Sequence, residues 1–390
     1  MPEWKNWSGR LQASPSTLKF PRSEKDVQHI VTAVRNEGGH LRVAGATHSH
    51  APLVTSDHTL LDLQAFSGVV SVDHTDQTAW VRAGTRIFAL GLALHKYGLA
   101  LHNQGDIDQQ TLAGAIATGT HGTGRTLGNL SSAVKALRMV TADGEVVTCS
   151  NTHLEGLWQA GRINLGALGV VTEVQLELKP NYRLEEQSWT CSLDEALEQA
   201  DNLSETYRHF EFFWYPQTDS AVIKVINETQ AEAVYPLADE GQRRAWSYEV
   251  LPNHRPHPHT EMEYAIAAEH AVPCMEALRD LLINEFPDVQ WPIEMRYLAA
   301  DDVWLSQAYQ QATVTLSVHQ DVRLDETAYF KACEELFLSF DGRPHWGKVH
   351  YLNGDKLASQ HPRWSDWWAV RNELDPDGVF LNDYLLGLRP

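Results

Sequence analysis

Residues 42–50, RVAGATHSH, join an apolar run to a turn of small residues with two histidines at its edge. Gly45 accepts backbone dihedrals that other residues resist, and small neighbours let backbone N–H groups approach an anion closely. Such a turn suits a pyrophosphate, and His48 beside it suits chemistry. A second small-residue segment, residues 99–124, carries Gly105, Gly114, Gly119, Gly122 and Gly124. Within it, residues 112–116 are small or apolar enough to lie flat against an aromatic ring. Glu294 and Arg296 are two residues apart, so on a strand both side chains point to one face. Lys348 in HWGK adds a cation, His345 lies beside it, and His319 sits in SVHQD. Carboxylate, imidazole and ammonium groups of this kind move protons and stabilise developing negative charge.

Each group has a competing structural reading. His48 reads equally as a turn histidine bonded to nearby carbonyls, and a Glu–Arg pair as a surface ion pair of small energetic worth. HWGK reads as a loop capped by its own lysine. Thr111 and Gly114 read as a tight helix start packed on a strand. Metal-dependent hydrolysis would draw on His48, His50 and the histidines of residues 254–259. Those are interleaved with prolines in a polar stretch without HExxH spacing, so a solvated loop and no metal are expected. No GxGxxG follows a strand and no GKS or GKT loop is present, which disfavours a nicotinamide-binding Rossmann unit and a nucleotide triphosphatase.

The elements that must position these residues alternate between short strands and helices. In the first part strands are expected over 41–44, 59–63, 68–72, 78–83 and 134–141, and helices follow Ser23 and span 86–97. That mixture reads as α+β or α/β. Residues 165–178 form an alternating strand, and a domain boundary is placed at Lys179–Pro180. Beyond it come a helix over 193–207, strands over 211–215 and 222–227, and a polar irregular stretch over 228–262. A helix over 272–286 precedes strand-like pieces at 291–298, 313–318 and the lead into 345–350. The tail VFLNDYLLGL reads as a short docked helix.

At 390 residues the chain exceeds most single domains. A formal charge of −20 argues against a nucleic-acid or anionic-membrane partner. The four cysteines are far apart and form no CxxC pair, and no run reaches membrane-spanning length. A reducing cytoplasm is the expected location.

Several ordered landmarks combine into a resemblance: KNWSG near the start, VAGATHSH at 43–50, TLAGAIATGTHGTG at 111–124, LGALGVVTEV at 165–174, IEMR at 293–296, HWGK at 345–348 and FLNDYL at 380–385. The sequence resembles the aldonolactone oxidase and alditol oxidase group of flavoenzymes, in the vanillyl-alcohol-oxidase superfamily. The resemblance implies an α+β, two-domain fold. An FAD-binding domain spans residues 1–180, and a substrate-binding cap spans 181–390 with an antiparallel sheet over the flavin, its tail docking back on the first domain. It also implies FAD joined through its 8α-methyl to His48, with His50 the rival attachment residue. Val43, Ala44, Gly45, Ala46, Thr47 and Ser49 are then expected to cradle the pyrophosphate, as are Thr118, Gly119, Thr120, His121 and Gly122. Thr111, Gly114 and Val170 match positions that touch flavin or adenine, and His345 matches a flavin-contacting histidine.

On that resemblance Glu294 binds or deprotonates substrate hydroxyls, while Arg296 and Lys348 orient the oxygen and stabilise the reduced ring. His319 is a second candidate proton acceptor. Gly105 falls beside the flavin C4a edge, where the absence of a methyl opens a path for O2 and implies an oxidase that makes hydrogen peroxide. Asp106 stands where alditol oxidases carry serine; it favours polyol hydroxyls and repels an anion such as an aldonate. The expected activity is hydride removal from a hydroxyl-bearing carbon of an alditol or aldono-1,4-lactone. Rival readings are a dehydrogenase of the same fold with another acceptor, and a non-catalytic carbohydrate-binding protein using some of the 13 tryptophans as stacking platforms. Against the latter, Trp364, Trp367 and Trp368 at helical spacing are expected in the cap core.

Overall fold

The structure, a computed structural model, describes residues 2–390. Two larger sheets organise its first half. Thr17–Lys19, Thr59–Asp62 and Leu41–Ala44 pair in parallel, in that spatial order. Five antiparallel strands follow in the order Val146–Ser150, Val134–Val140, Val170–Glu177, Thr78–Arg82, Val69–Asp73. Helix Glu24–Asn36 starts at a capping box in which Ser23 and Asp26 each bond the other's backbone N–H. Its Val27, Val31 and Val34, at helical spacing, are buried.

The second half is organised on one eight-stranded antiparallel sheet. Its order is Arg244–Trp246, Arg183–Ser192, Ser220–Thr229, His209–Tyr215, Ile293–Leu298, Thr313–Asp321, His259–Ala267, Arg343–Pro344. Side chains alternate between its faces, so the register decides which residues meet. On one face Ile223, Phe212, Met295, Leu316 and Tyr264 form a row across five strands, each fully buried. Helices Leu193–Thr206, Ala271–Glu285 and Thr327–Ser339 pack on this sheet. The opposite face carries the charged residues of the site.

Two expectations fail here. Residues 228–262 are not uniformly irregular: strand Arg244–Trp246, helix Ser247–Val250 and the start of strand His259–Ala267 lie within them. In HTEMEYAIA, Met262, Tyr264 and Ile266 alternate with Glu261 and Glu263, the period of a strand with one polar face. Conversely, the strand expected to lead into 345–350 is confined to Arg343–Pro344, and HWGK lies in a turn.

The tryptophans of helix Trp364–Leu374 pack away from the cap sheet, which corrects their expected place. This helix lies against helix Glu155–Gly161, and Trp367 Nε1 donates to the carbonyls of Ala160 at 3.1 Å and Ile163 at 3.0 Å. The buried Arg42 guanidinium ties the tail further to the first half. It donates to the carbonyls of Leu53, Leu165 and Gly166, each at 2.7 Å, and to that of Phe380.

Candidate active site

Strand Leu41–Ala44 ends in the turn of Gly45, Ala46 and Thr47. Thr47 adopts φ +63°, a left-handed geometry costly for a β-branched residue. A Cβ on Gly45 would stand 2.4 Å from Thr111 Oγ1, so the two small-residue segments meet here and only glycine fits. A cavity of about 1030 Å³, counting its open mouth, runs along this contact. Its walls include Val43–Ser49, Thr111, Gly114, Thr118, Gly169 and Val171.

Among the described residues, no protein group accepts from the backbone N–H of Ala46, Thr47, His48 or Ser49. Open donors on a cavity wall fit the pyrophosphate of FAD, since buried N–H groups otherwise find partners. Other expected contacts lie elsewhere. Val170 is fully buried in the core, and its neighbours Gly169 and Val171 form the wall instead. Gly119, Thr120, His121 and Gly122 are also absent from this wall. Thr120 accepts from Gln110 Nε2 at 3.3 Å, Gly122 packs on Asn103 and Gln104, and His121 faces the cap.

His48, Ser49, Gln110 and Thr118 also line a small neighbouring pocket, here called the junction, with Trp7, His50, His345 and Lys348. His48 stacks on Trp7, with ring centres 5.6 Å apart. Burial, together with Arg86, Lys348 and His259, holds the His48 pKa down at about 4, so the imidazole is neutral and its lone pair free. His50 lines the same junction. Its ring Nδ1 is buried without a partner, and burial pushes its pKa well below the ordinary histidine value.

Ile107, His259 and Lys348 line both the junction and a second cavity of about 1260 Å³, again counting its mouth. The polar face of the eight-stranded sheet is its floor. One row across the strands reads Ser188, Lys224, Glu211, Arg296, Thr315. The next reads Val222, Phe213, Glu294, Ser317, Glu263. Glu261 pairs in register with His319. The sheet thus brings Glu294, Arg296 and His319 to one cavity, which Lys348 from its turn and Asp106 from a loop of the first half also line. His345 borders the junction beside it, and Gly105 packs under Thr120 and the His121 carbonyl.

Charge balance sets the protonation of this cavity. The Arg296 guanidinium meets three carboxylates: Glu211 Oε2 at 2.9 Å, Asp106 Oδ1 at 3.5 Å, and Glu294 Oε1. Glu294 and Arg296 are 5% and 6% exposed, which rules out the surface ion-pair reading. Burial favours the neutral acid of Asp106, but Arg296 and Arg255 outweigh it and hold its pKa at about 2. Glu211 is likewise held at about 2, against burial, by Lys224 and Arg296. Glu294 goes the other way. Burial raises its pKa, Arg296 opposes, and the anions of Glu211, Asp106 and Glu261 add to the rise, leaving it at about 8. Glu294 Oε1 touches Arg296 yet makes no aligned hydrogen bond. Lys348 pairs with Glu261, which outweighs burial and keeps the ammonium charged. HWGK is therefore not a loop capped by its own lysine.

Two buried groups, His50–His259–Glu261 and His121–Glu263–His345, bring ligand-type atoms within 4.8 Å of one another. His259 belongs to a strand, so the solvated-loop expectation fails for that residue. The acid of each group is already engaged, while His50 Nδ1 stays without a partner. Lys348 holds Glu261, and His121, Gln307 and Ser317 donate to Glu263 at 2.8, 3.0 and 3.0 Å.

A model for FAD binding domains matches residues 15–150, and one for D-arabinono-1,4-lactone oxidase matches 174–246 and 237–387. The chain belongs to the D-arabinono-1,4-lactone oxidase family. It is an FAD-linked oxidoreductase. It is 34% identical to an L-gulono-1,4-lactone dehydrogenase of Mycobacterium tuberculosis, covering 98% of each chain. It is 30% identical to a Streptomyces alditol oxidase, again over 98% of each. The fold matches a cholesterol oxidase from Brevibacterium sterolicum with a TM-score of 0.88, at 17% identity over 100% of this chain and 96% of the other.

Lys224, Glu261 and Arg255, which line the second cavity, and Glu211 and Glu263, which pair with the groups around it, were not among the residues expected from sequence. Lys224 and Glu211 were hidden in strands otherwise made of apolar residues, and Glu261 and Arg255 in the stretch read as irregular. The detectable signal was a charge at period two inside an apolar strand, as in AVIKVI and HFEFFWY.

Proposed function

We propose that the protein oxidises a hydroxyl-bearing carbon of a neutral alditol or aldono-1,4-lactone, with FAD bonded to His48 and O2 as the electron acceptor. The observation that carries this reading is the adjacency of the cavities. A cavity with open backbone donors and the cavity lined by Glu294, Arg296 and Lys348 both share wall residues with a small pocket at His48. Bound FAD supplies the two-electron acceptor for hydride leaving the alcohol carbon.

The chain's own residues do the rest. Glu294, with a pKa near working pH and an oxygen lacking an aligned partner, takes the hydroxyl proton. Lys348 stays protonated beside Glu261, and Arg296 stays charged among three carboxylates, so both hold the substrate oxygen as negative charge develops. His319 lies one strand from Glu294, where its Nδ1 faces the Pro292 carbonyl at 2.9 Å and its Nε2 is 3.6 Å from Glu261 Oε1. That placement orients Glu261 and leaves the proton to Glu294. The neutral His48 imidazole suits nucleophilic attachment to the 8α-methyl carbon.

A second reading, a dehydrogenase with another acceptor, is favoured by the name of the Mycobacterium tuberculosis relative. For O2 stands the resemblance at Gly105, although an added Cβ there would meet Thr120 Cγ2 at 3.1 Å and the His121 carbonyl at 3.3 Å rather than open space. Anaerobic reduction of the flavin by sugar lactones and polyols, followed by admission of air, tests both halves. Rapid recovery of oxidised flavin with one hydrogen peroxide per turnover supports the oxidase. Slow recovery, with fast turnover on an artificial dye, assigns the dehydrogenase.

A further inference from the structure

The second cavity does not end at the groups assigned to the reacting hydroxyl. Its floor continues from Ile293–Leu298 across His209–Tyr215 to Ser220–Thr229, two strand spacings away, so the backbone of Lys224 stands about 10 Å from that of Arg296, with both side chains reaching the Glu211 carboxylate between them. Ser188 is its neighbour on the next strand. Glu240 and Arg255 wall this far end.

The chemistry there is specific. The Lys224 side chain is 7% exposed and pairs with Glu211, while Glu240 and Glu186 stand 3.5 and 4.0 Å away. Ammonium has three donors, and separations beyond about 3.2 Å are too long for good hydrogen bonds. Lys224 therefore retains donor capacity beside an acceptor, Glu240. Arg255 fixes Glu240 with contacts of 3.1 and 3.3 Å, and reaches Asp106 at 3.2 Å. A hydroxyl accepts from an ammonium and donates to a carboxylate, so this arrangement fits a neutral diol. Every cation in it is already paired, so an anion finds no uncompensated charge.

Length then discriminates. An extended carbon chain advances roughly 1.25 Å per C–C bond. Six carbons span about 6 Å, and hydrogen bonds of about 2.8 Å at each end bridge the remainder. Three carbons span only about 2.5 Å and, engaged at Glu294, fall short of Lys224.

We propose that Lys224 and Glu240, held by Arg255 and flanked by Ser188, form a distal subsite that binds the substrate's hydroxyls farthest from the oxidised carbon and selects for chain length. The inference rests on the proposed oxidation of neutral polyols or lactones. The diol it binds belongs either to an open-chain alditol or to the exocyclic side chain of a six-carbon 1,4-lactone.

The test measures anaerobic flavin reduction by the holoenzyme along two series. One runs from glycerol through four- and five-carbon alditols to six-carbon alditols. The other compares a four-carbon 1,4-lactone, which has no side chain, with six-carbon 1,4-lactones. In the series that contains the true substrate class, kcat/KM rises at least 100-fold with length, carried by KM. In Glu240→Gln that length preference falls at least ten-fold. The Glu240 side chain is 38% exposed, so this variant leaves the core intact, and FAD content checks the fold. Lys224→Met gives the same loss of preference. A flat length dependence in both series, or a variant that weakens all lengths alike, overturns the subsite and leaves the activity standing. Failure of every member to reduce the wild-type flavin overturns the proposed activity and the subsite with it.

Discussion

Glu294→Gln is the sharpest probe of the proposed proton transfer, because glutamine keeps the shape and hydrogen-bonding capacity but cannot take a proton. Burial and the surrounding carboxylates place the Glu294 pKa at about 8 in the wild type. A base with that pKa is about one-tenth ionised at pH 7 and about nine-tenths at pH 9, so the rate of flavin reduction should rise about ten-fold across that interval. A positioned general base contributes roughly 10²- to 10⁴-fold. The variant should therefore be slower by about that factor at pH 9, and the gap should narrow about ten-fold at pH 7. Its own profile should lose the inflection near pH 8. Stopped-flow reduction at saturating substrate from pH 6 to 10 measures both quantities. A wild-type rate that falls above pH 8 would show that Glu294 acts as an acid. A variant within about three-fold of wild type, or one that keeps the inflection, would remove it as the base.

Other expectations follow from the same geometry. In His48→Ala the flavin should become extractable by acid while the wild-type flavin stays in the protein pellet; wild-type flavin released in full by acid denies the covalent link. Lys348→Met should slow flavin reduction far more than it weakens FAD binding, since its ammonium faces the second cavity and pairs with Glu261; equal reduction rates take Lys348 out of the mechanism. Gly105→Ala should leave reduction by substrate within a few-fold of wild type and slow reoxidation by O2 at least ten-fold. An unchanged reoxidation rate rejects Gly105 as the opening for oxygen.

Much of this site was legible before any coordinates because its chemistry sits at chain punctuation. The glycine-rich turn after Leu41–Ala44 and the charged pair in IEMR announce themselves by residue type and spacing. The family landmarks then fixed the fold, since their order along the chain is unusual even where each is short. What stayed hidden depends on strand register. Lys224 and Arg296 share a row only because both pair with Glu211, and their separation in sequence gives no hint of that. Strand His259–Ala267 was obscured by the histidines and prolines before it, although its own alternation of Glu261 and Glu263 with Met262 and Tyr264 marks a one-sided strand. The tryptophans of Trp364–Leu374 were rightly taken for core. Their partner, helix Glu155–Gly161, lies about two hundred residues upstream, as the Trp367 to Ala160 bond shows. Periodicity tells which face of a helix is buried and is silent about what buries it.

Adjoining cavities are proposed to bring a neutral polyol or sugar lactone to FAD beside Glu294, Arg296 and Lys348. Anaerobic titration of the purified holoenzyme with six-carbon alditols and six-carbon 1,4-lactones, following the oxidised-flavin absorbance band, tests it most directly. The account predicts full bleaching of that band by at least one of these compounds, and no bleaching by the same compound in Glu294→Gln on the same timescale. A flavin that fills the protein yet is reduced by none of them would contradict it.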